Sequence, residues 1–288
     1  LADLVIPLLR LDSHPLIEKA NVFILYRQWP SQRSNLIKVA QAIGAEAIEY
    51  CNGQRGGPLS QALDYFRSDL LAQFYRDCRQ RVPFAGLKTL TELSQGIPRN
   101  FLTILKYIYR RSYFANEAPF AGGTISVNAQ SNGVRDSSAW FWADAQPAGH
   151  GDEVRDAIES LALLFRSVRF SDRPSECDLC TFSINEEAIS HASRKVLKLA
   201  ENWSYLIKIR DGARNKNDRG VSAKYQLGPM LAPKWDISEH RRGNIELRVD
   251  LANAIFDREY PVTIPGLVRS RVAGMRGPSF ATANFGDQ

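Results

Sequence analysis

The sequence is poor in cysteine, histidine and methionine, and it has no long apolar run. Four cysteines in 288 residues do not build a disulfide framework, so an intracellular, cytoplasmic location is the simpler expectation. Cys177 and Cys180 form a lone CxxC, "CDLC", and the other candidate ligands, Cys78, His150 and His191, do not fall at a paired zinc-site spacing. No metal is expected. The four histidines are scattered, and no Ser/His/Asp or Cys/His arrangement of a nucleophilic enzyme stands out. Apolar runs such as "LALLF" at Leu161–Phe165 are too short to span a bilayer. The start has no charged stretch followed by an apolar one, so no secretory signal is expected. The first residue is Leu rather than Met, which suggests a piece of a longer protein.

What is present is an ordinary globular composition, 44% hydrophobic and 24% charged, long enough for two small domains or one large one. The net charge of +6 and a pI near 9.2 favour a polyanionic partner, subject to how the charge is distributed.

The first part mixes a strand-like "NVFILY" (Asn21–Tyr26) with a helical "NLIKVAQAIGAEAIEY" (Asn35–Tyr50), and "CNGQRGGPLSQ" then reads as a loop. From Leu59 to Cys78, the residues Leu63, Phe66, Leu70 and Phe74 keep helical spacing. "LKTLTEL" (Leu87–Leu93) is a short helix, so Leu59 to Phe114 reads as a small all-helical unit. Its last helix begins at "GIPRN". Gly96 ends the preceding helix and Pro98 fits the first helical position. Phe101, Leu102, Leu105, Ile108 and Tyr109 make an apolar stripe, with Arg99, Thr103, Lys106 and Arg110 opposite. Arg99 is out of place, because a cation in the first turn opposes the helix dipole at a cost of roughly 0.3–1 kcal/mol. Either a carboxylate on a neighbouring helix compensates it, or it faces a phosphate that the helix N-terminus also attracts.

"APFAGGT" (Ala118–Thr124) reads as a linker, and the next helix ends in "AWFWADA" (Ala139–Ala145). Asp152 caps a further helix whose buried face is Val154, Ile158, Leu161 and Phe165. A strand at Cys180–Ile184 follows, then a helix at Asn185–Trp203, acidic at its start and basic later. "YLIKI" (Tyr205–Ile209) is a strand, "RDGARNKNDRGV" a polar loop and "SAKYQLG" (Ser222–Gly228) a returning strand. Helix, strand, helix, strand, charged loop and strand is the order of a winged helix, with the loop as the wing. Arg210, Arg214, Lys216, Arg219 and Lys224 against Asp211 and Asp218 leave a local excess of three positive charges. On a DNA reading, the wing meets phosphates, while His191, Arg194, Lys195 and Lys198 present a helix to a groove. The alternative is a solvated basic face or a protein-contact module, since only one helix fits between the two strands. Trp140, Trp142 and Trp203 read as core rather than as base-stacking residues. "IELRVDLANAIF" (Ile245–Phe256) adds a last strand or helix, and the tail with Arg269, Arg271 and Arg276 is loose.

A helical unit carrying Gly96, Pro98, Arg99 and Asn100, followed by a winged helix with "KYQLGPMLAPKW" (Lys224–Trp235) after its wing, resembles the C-terminal half of an AAA+ ATPase. The likeness is to the initiator-type branch similar to the origin recognition complex, including its bacterial relatives. It implies a mainly α chain: an AAA+ helical lid followed by a winged-helix (α+β) domain. Residues 1–58 would end an upstream ATPase core or connect to it, 59–117 form the lid, 125–256 the winged helix and 257–288 a flexible basic tail. Arg99 would then sense the nucleotide phosphates, and Arg194, Lys195, Lys198, Arg210, Arg214, Lys216, Arg219 and Lys224 would contact double-stranded DNA. No G-x-x-x-x-G-K-[ST] occurs, and "GQRGGPLSQ" lacks both spacing and lysine. No autonomous activity is therefore expected of this chain. ATP and Mg belong to the full-length parent, with its ATPase core upstream in the same protein, and an AAA+ homo-oligomer is the implied assembly. The rival reading is an interaction or regulatory module of a bacterial signalling or defence ATPase that makes no DNA contact.

Overall fold

A computed structural model describes residues 1–29, 35–144, 151–169, 179–211, 222–239 and 243–261. His150, Cys177, the wing residues Arg214, Lys216 and Arg219, and Arg269, Arg271 and Arg276 lie outside the described residues. The chain is mainly helical with one small sheet near its C-terminal end, an architecture compatible with a helical lid and a winged helix. It divides into two compact units between Gln80 and Arg81.

The first unit contains α1 (Ala2–Leu9), α2 (Pro15–Gln28), α3 (Leu36–Cys51) and α4 (Gly57–Asp77). Phe23, Ile24, Ala40, Ile43, Leu59, Leu63 and Leu70 share its core. "NVFILY" is therefore helix and not strand. A short apolar run fits a buried helix as well as a strand, and the deciding signal is Pro15 at the first helical position six residues earlier. The buried Asn21 amide donates to the Leu9 carbonyl at 3.0 Å, tying α2 to the end of α1. A Cβ at Gly44 would collide with the Leu8 carbonyl oxygen, so this glycine lets α1 and α3 approach closely. The unit boundary falls inside the 59–117 stretch: α4 packs on α2 and α3, whereas the helices after it belong to the second unit.

In the second unit, α5 (Leu87–Ser94), α6 (Pro98–Phe114) and α7 (Val127–Asp144) enclose Phe84, Leu90, Leu93, Ile104, Ile108 and Val134. The "APFAGGT" link between α6 and α7 holds one 3-10 turn, Pro119–Ala121. The buried stripe of α6 is Ile104, Ile108 and Ser112, with Phe101 half-buried. Leu102, Leu105 and Tyr109 are 64%, 38% and 41% exposed. The expected stripe is thus rotated. Two overlapping sets on this helix satisfy three- and four-residue spacing, and only the position of α7 chooses between them. A Cβ at Gly133 would lie 2.5 Å from Ile108 Cα and 2.6 Å from its nitrogen, so Gly133 sets how closely α7 seats against that stripe.

Helix α8 (Gly151–Arg169) buries Val154, Ile158, Leu161 and Phe165 as its spacing predicts. Asp152 lies inside its first turn rather than at the cap. The sheet has the order β2-β3-β1-β4. Strands β1 (Thr181–Asn185) and β2 (Leu206–Asp211) both run antiparallel to β3 (Ser222–Leu227), with Phe182 opposite Tyr225 and Leu206 opposite Leu227. The two-residue β4 (Ile245–Glu246) joins β1 in parallel, and α10 (Val249–Phe256) follows, so "IELRVDLANAIF" supplies both a strand and a helix. Helix α9 (His191–Asn202) starts six residues later than its acidic approach suggests, because Asn185 belongs to β1 and Glu186 and Glu187 form a turn. Tyr205 is fully buried, 5.4 Å from the Trp142 ring. Burial pushes its phenol up, against the opposing charge of Arg155. Trp142 is core, Trp140 is half-buried and Trp203 is 38% exposed.

This packing makes two outcomes measurable. Gly133→Ala forces backbone of α6 and α7 apart and should destabilise the chain by about 1–3 kcal/mol in chemical unfolding. Burial works against ionisation of Asp77, but hydrogen bonds from Lys19 and Arg76 outweigh it and hold the carboxyl below its usual range. Its contribution is present at neutral pH and is lost as pH falls through that lowered value. Asp77→Asn should therefore flatten the acid limb of a stability–pH profile and leave the alkaline limb unchanged.

Candidate nucleic-acid interface

The sequence of α9 separates its faces at helical spacing. Ser193, Val196, Leu197 and Ala200 are buried, and His191, Arg194, Lys195 and Lys198 are exposed together on the opposite side. The start of the helix is fixed by capping. The Ser193 backbone N–H donates to the Ser190 hydroxyl at 3.0 Å, and that hydroxyl donates to Asp257 at 2.9 Å. Asn253 of α10 accepts from the Ser190 N–H at 2.9 Å and from the Ser193 hydroxyl at 3.0 Å. The cationic face is therefore carried by a helix anchored at its N-terminal end, and not by a loop. Of its members, Lys198 pairs with Glu201 at 2.8 Å.

Strand register adds two further cationic positions. Lys224 of β3 is half-buried and pairs in register with Arg210 of β2, beside the irregularity between Lys208 and Arg210. Lys208, a cation with no role assigned from sequence, lies 3.1 Å from Glu186, which also accepts from the Tyr225 hydroxyl at 2.6 Å. The structure thus brings the α9 residues together and sets Arg210 opposite Lys224. It leaves the wing cations Arg214, Lys216 and Arg219 outside the described residues.

Arg99 stands on a different element, in the first turn of α6. Its side chain is 79% exposed and lies 3.8 Å from Asp144 at the end of α7. This is the compensating carboxylate on a neighbouring helix that the dipole argument allows. An exposed pair of this kind is worth only about 0–1 kcal/mol, so the guanidinium stays open to a stronger anionic partner. Of what an ATP·Mg site needs, these residues fit one phosphate-sensing cation and do not fit a phosphate cradle. Among the described residues no group of three or more His, Cys, Asp or Glu could hold a metal ion. Cys180 is packed inside the sheet core. None of the described helices is long and apolar enough to cross a membrane.

Sequence reasoning missed the charge cluster around Asp236. Arg135 and Arg166 each lie 3.4 Å from its carboxylate and Arg81 lies 4.0 Å away. Arg135 also donates to the Val82 carbonyl at 2.9 Å, and Arg166 to the Trp235 carbonyl at 2.6 Å. The residues come from four separate stretches, so no local spacing announces them. The one local sign is Asp following the rigid "APKW", and it adopts the left-handed conformation at φ 53°.

The family model described as ORC-CDC6-like matches residues 4–247. No curated protein matches the chain, and no solved structure does.

Asp236→Ala should cost about 2–3 kcal/mol in thermal or chemical unfolding, because it strands the largely buried Arg135 guanidinium. Asp144→Ala, which removes only the exposed partner of Arg99, should change stability by less than about 1 kcal/mol.

Proposed function

The chain belongs to the ORC-CDC6-like family, an AAA+ family related to initiators, and on that premise we propose that it supplies the lid and winged-helix portion of an ATP-dependent, DNA-binding ATPase. The observation that carries the proposal is the exposed face of α9, where His191, Arg194, Lys195 and Lys198 project from a capped helix between two strands of a small sheet. A helix of this kind can lie in or against a major groove, while cations on the neighbouring hairpin meet the phosphates. Arg210 and Lys224 at the base of the wing, and Arg214, Lys216 and Arg219 within it, would extend that contact along the backbone of double-stranded DNA. Family membership implies ATP and Mg in the full-length protein. In that setting Arg99, exposed at the start of α6, is the group suited to report bound nucleotide. When bound, ATP·Mg would supply the phosphate charge that such a guanidinium reads. Hydrolysis is not assigned to this chain, whose sequence contains no G-x-x-x-x-G-K-[ST] motif. An ATPase core in the same protein, a homo-oligomeric assembly and a cytoplasmic setting complete the proposal.

The test is binding to a labelled DNA duplex across a salt series. Wild type should bind and weaken steeply with salt. Changing Arg194, Lys195 and Lys198 to Ala together should flatten the slope by up to about 2.7 log units per log salt, roughly 0.9 for each phosphate that is no longer neutralised. The corresponding change at Arg214, Lys216 and Arg219 should flatten it similarly. Arg99→Ala should leave duplex affinity within about twofold, since its role is on the nucleotide side. If wild type and variants alike fail to bind at low salt, the basic face is solvated only, and the module serves protein contacts in a signalling or defence ATPase.

A further inference from the structure

Helix α6 has an outer face that neither the core nor the proposed DNA contact uses. Over Pro98–Phe114, beyond the Arg99 assigned to nucleotide, it carries Lys106, Arg110 and Arg111 and no acidic residue. The same helix and the link after it expose large rings: Tyr109 is 41% exposed, Tyr113 65%, Phe114 75% and Phe120 87%. These are not scattered. The Tyr109 ring lies 5.2 Å from Phe120 and 6.2 Å from Tyr113, and Tyr113 lies 6.2 Å from Phe114. Beside them runs a groove of about 510 Å³ lined by Tyr107, Arg110, Arg111, Phe114, Asp136 and Trp140, among others.

We propose that this face binds single-stranded DNA, with the aromatic rings stacking on unpaired bases and the α6 cations following the phosphates. Charge decides for a polyanion over an apolar protein surface. The acids nearest to the helix are already engaged: Asp136 holds Arg111 through bonds of 2.6 and 2.9 Å, and Asp144 lies 3.8 Å from Arg99. Lys106 and Arg110 form no ion pair among the described residues, and both lie over the Tyr107 ring, at 5.8 and 5.6 Å. Exposed rings decide for a single strand over a duplex, because bases inside a duplex already stack on one another and offer no free face. Rings interleaved with cations along a groove are how proteins hold unpaired strands without reading sequence. The choice of DNA over RNA rests on the function proposed above; the site itself does not.

The experiment is fluorescence anisotropy of a labelled oligothymidylate of about 16 nucleotides, with oligouridylate and a duplex of equal length as further arms. Wild type should bind the oligothymidylate. Tyr113→Ala with Phe114→Ala leaves the charge unchanged, so affinity should fall by roughly five- to 150-fold per stacked base while the salt slope holds. Arg110→Ala should lower that slope by about 0.7. Tyr113→Phe with Phe114→Tyr keeps both rings and should bind as wild type, which separates a loss of stacking from a loss of folding. The α9 triple variant should keep oligothymidylate binding even as duplex binding falls, so failure of one site is distinguishable from failure of the other. No binding at low salt, or equal binding by the Tyr113→Ala/Phe114→Ala variant, overturns the proposal and leaves α6 as a protein-contact face. Tighter binding of oligouridylate than of oligothymidylate overturns the choice of DNA.

Discussion

The second unit depends on one carboxylate. Asp236 ends the 3-10 segment Pro229–Trp235 and draws arginines from the connector before α5, from α7 and from α8. A single negative charge can stand among three guanidiniums because two of them have other acceptors and the third, Arg81, is largely exposed to water. Arg135 reaches the Val82 carbonyl and Arg166 the Trp235 carbonyl, so these two cations are each hydrogen-bonded more than once. The same short segment works apolarly as well. Met230 enters the core made by α5, α6 and α7, while Leu231, Ala232 and Trp235 enter the core beneath the sheet. The helical part and the sheet part of this unit are thereby one packed body.

That rigidity gives the two surface features their meaning. On α9, capping by Ser190 and the grip of Asn253 and Asp257 fix the start of the helix that carries the cationic face against the end of α10. On α6, the close approach permitted by Gly133 fixes which residues point outward. Both faces are basic, yet they differ in chemistry. The α9 face is cationic without aromatic rings, which suits a regular phosphate backbone. The α6 face alternates cations with rings, which suits unpaired bases. The family's link to initiators places ATP in the background of both.

Much of this was legible in the sequence wherever one local rule dominated. The inner face of α8, the span of α3, the start of α6 at Pro98 and the order of the sheet region all follow from spacing, proline placement and alternation. The exposed cations of α9 could be picked out because each falls opposite a buried residue at helical period. Reading failed where two rules tied. "NVFILY" suits strand and helix equally by apolarity; the helix start at Pro15, six residues earlier, tips it to helix, and α2 packs as one on α3 and α4. On α6 two apolar stripes overlap, and the set that includes Leu102, Leu105 and Tyr109 is left in solvent.

The sequence by itself determined the helical character of the chain, the positions of most helix ends and the basic excess, because each is set by composition or by neighbours a few residues apart. Only the tertiary structure decided where the chain divides, which stripe of α6 is buried, that Arg99 has Asp144 beside it, and that Asp236 gathers three arginines. Those outcomes depend on groups far apart along the chain, Arg135 and Asp236 among them. Local spacing carries no record of the charge or the shape that a distant segment brings to meet it.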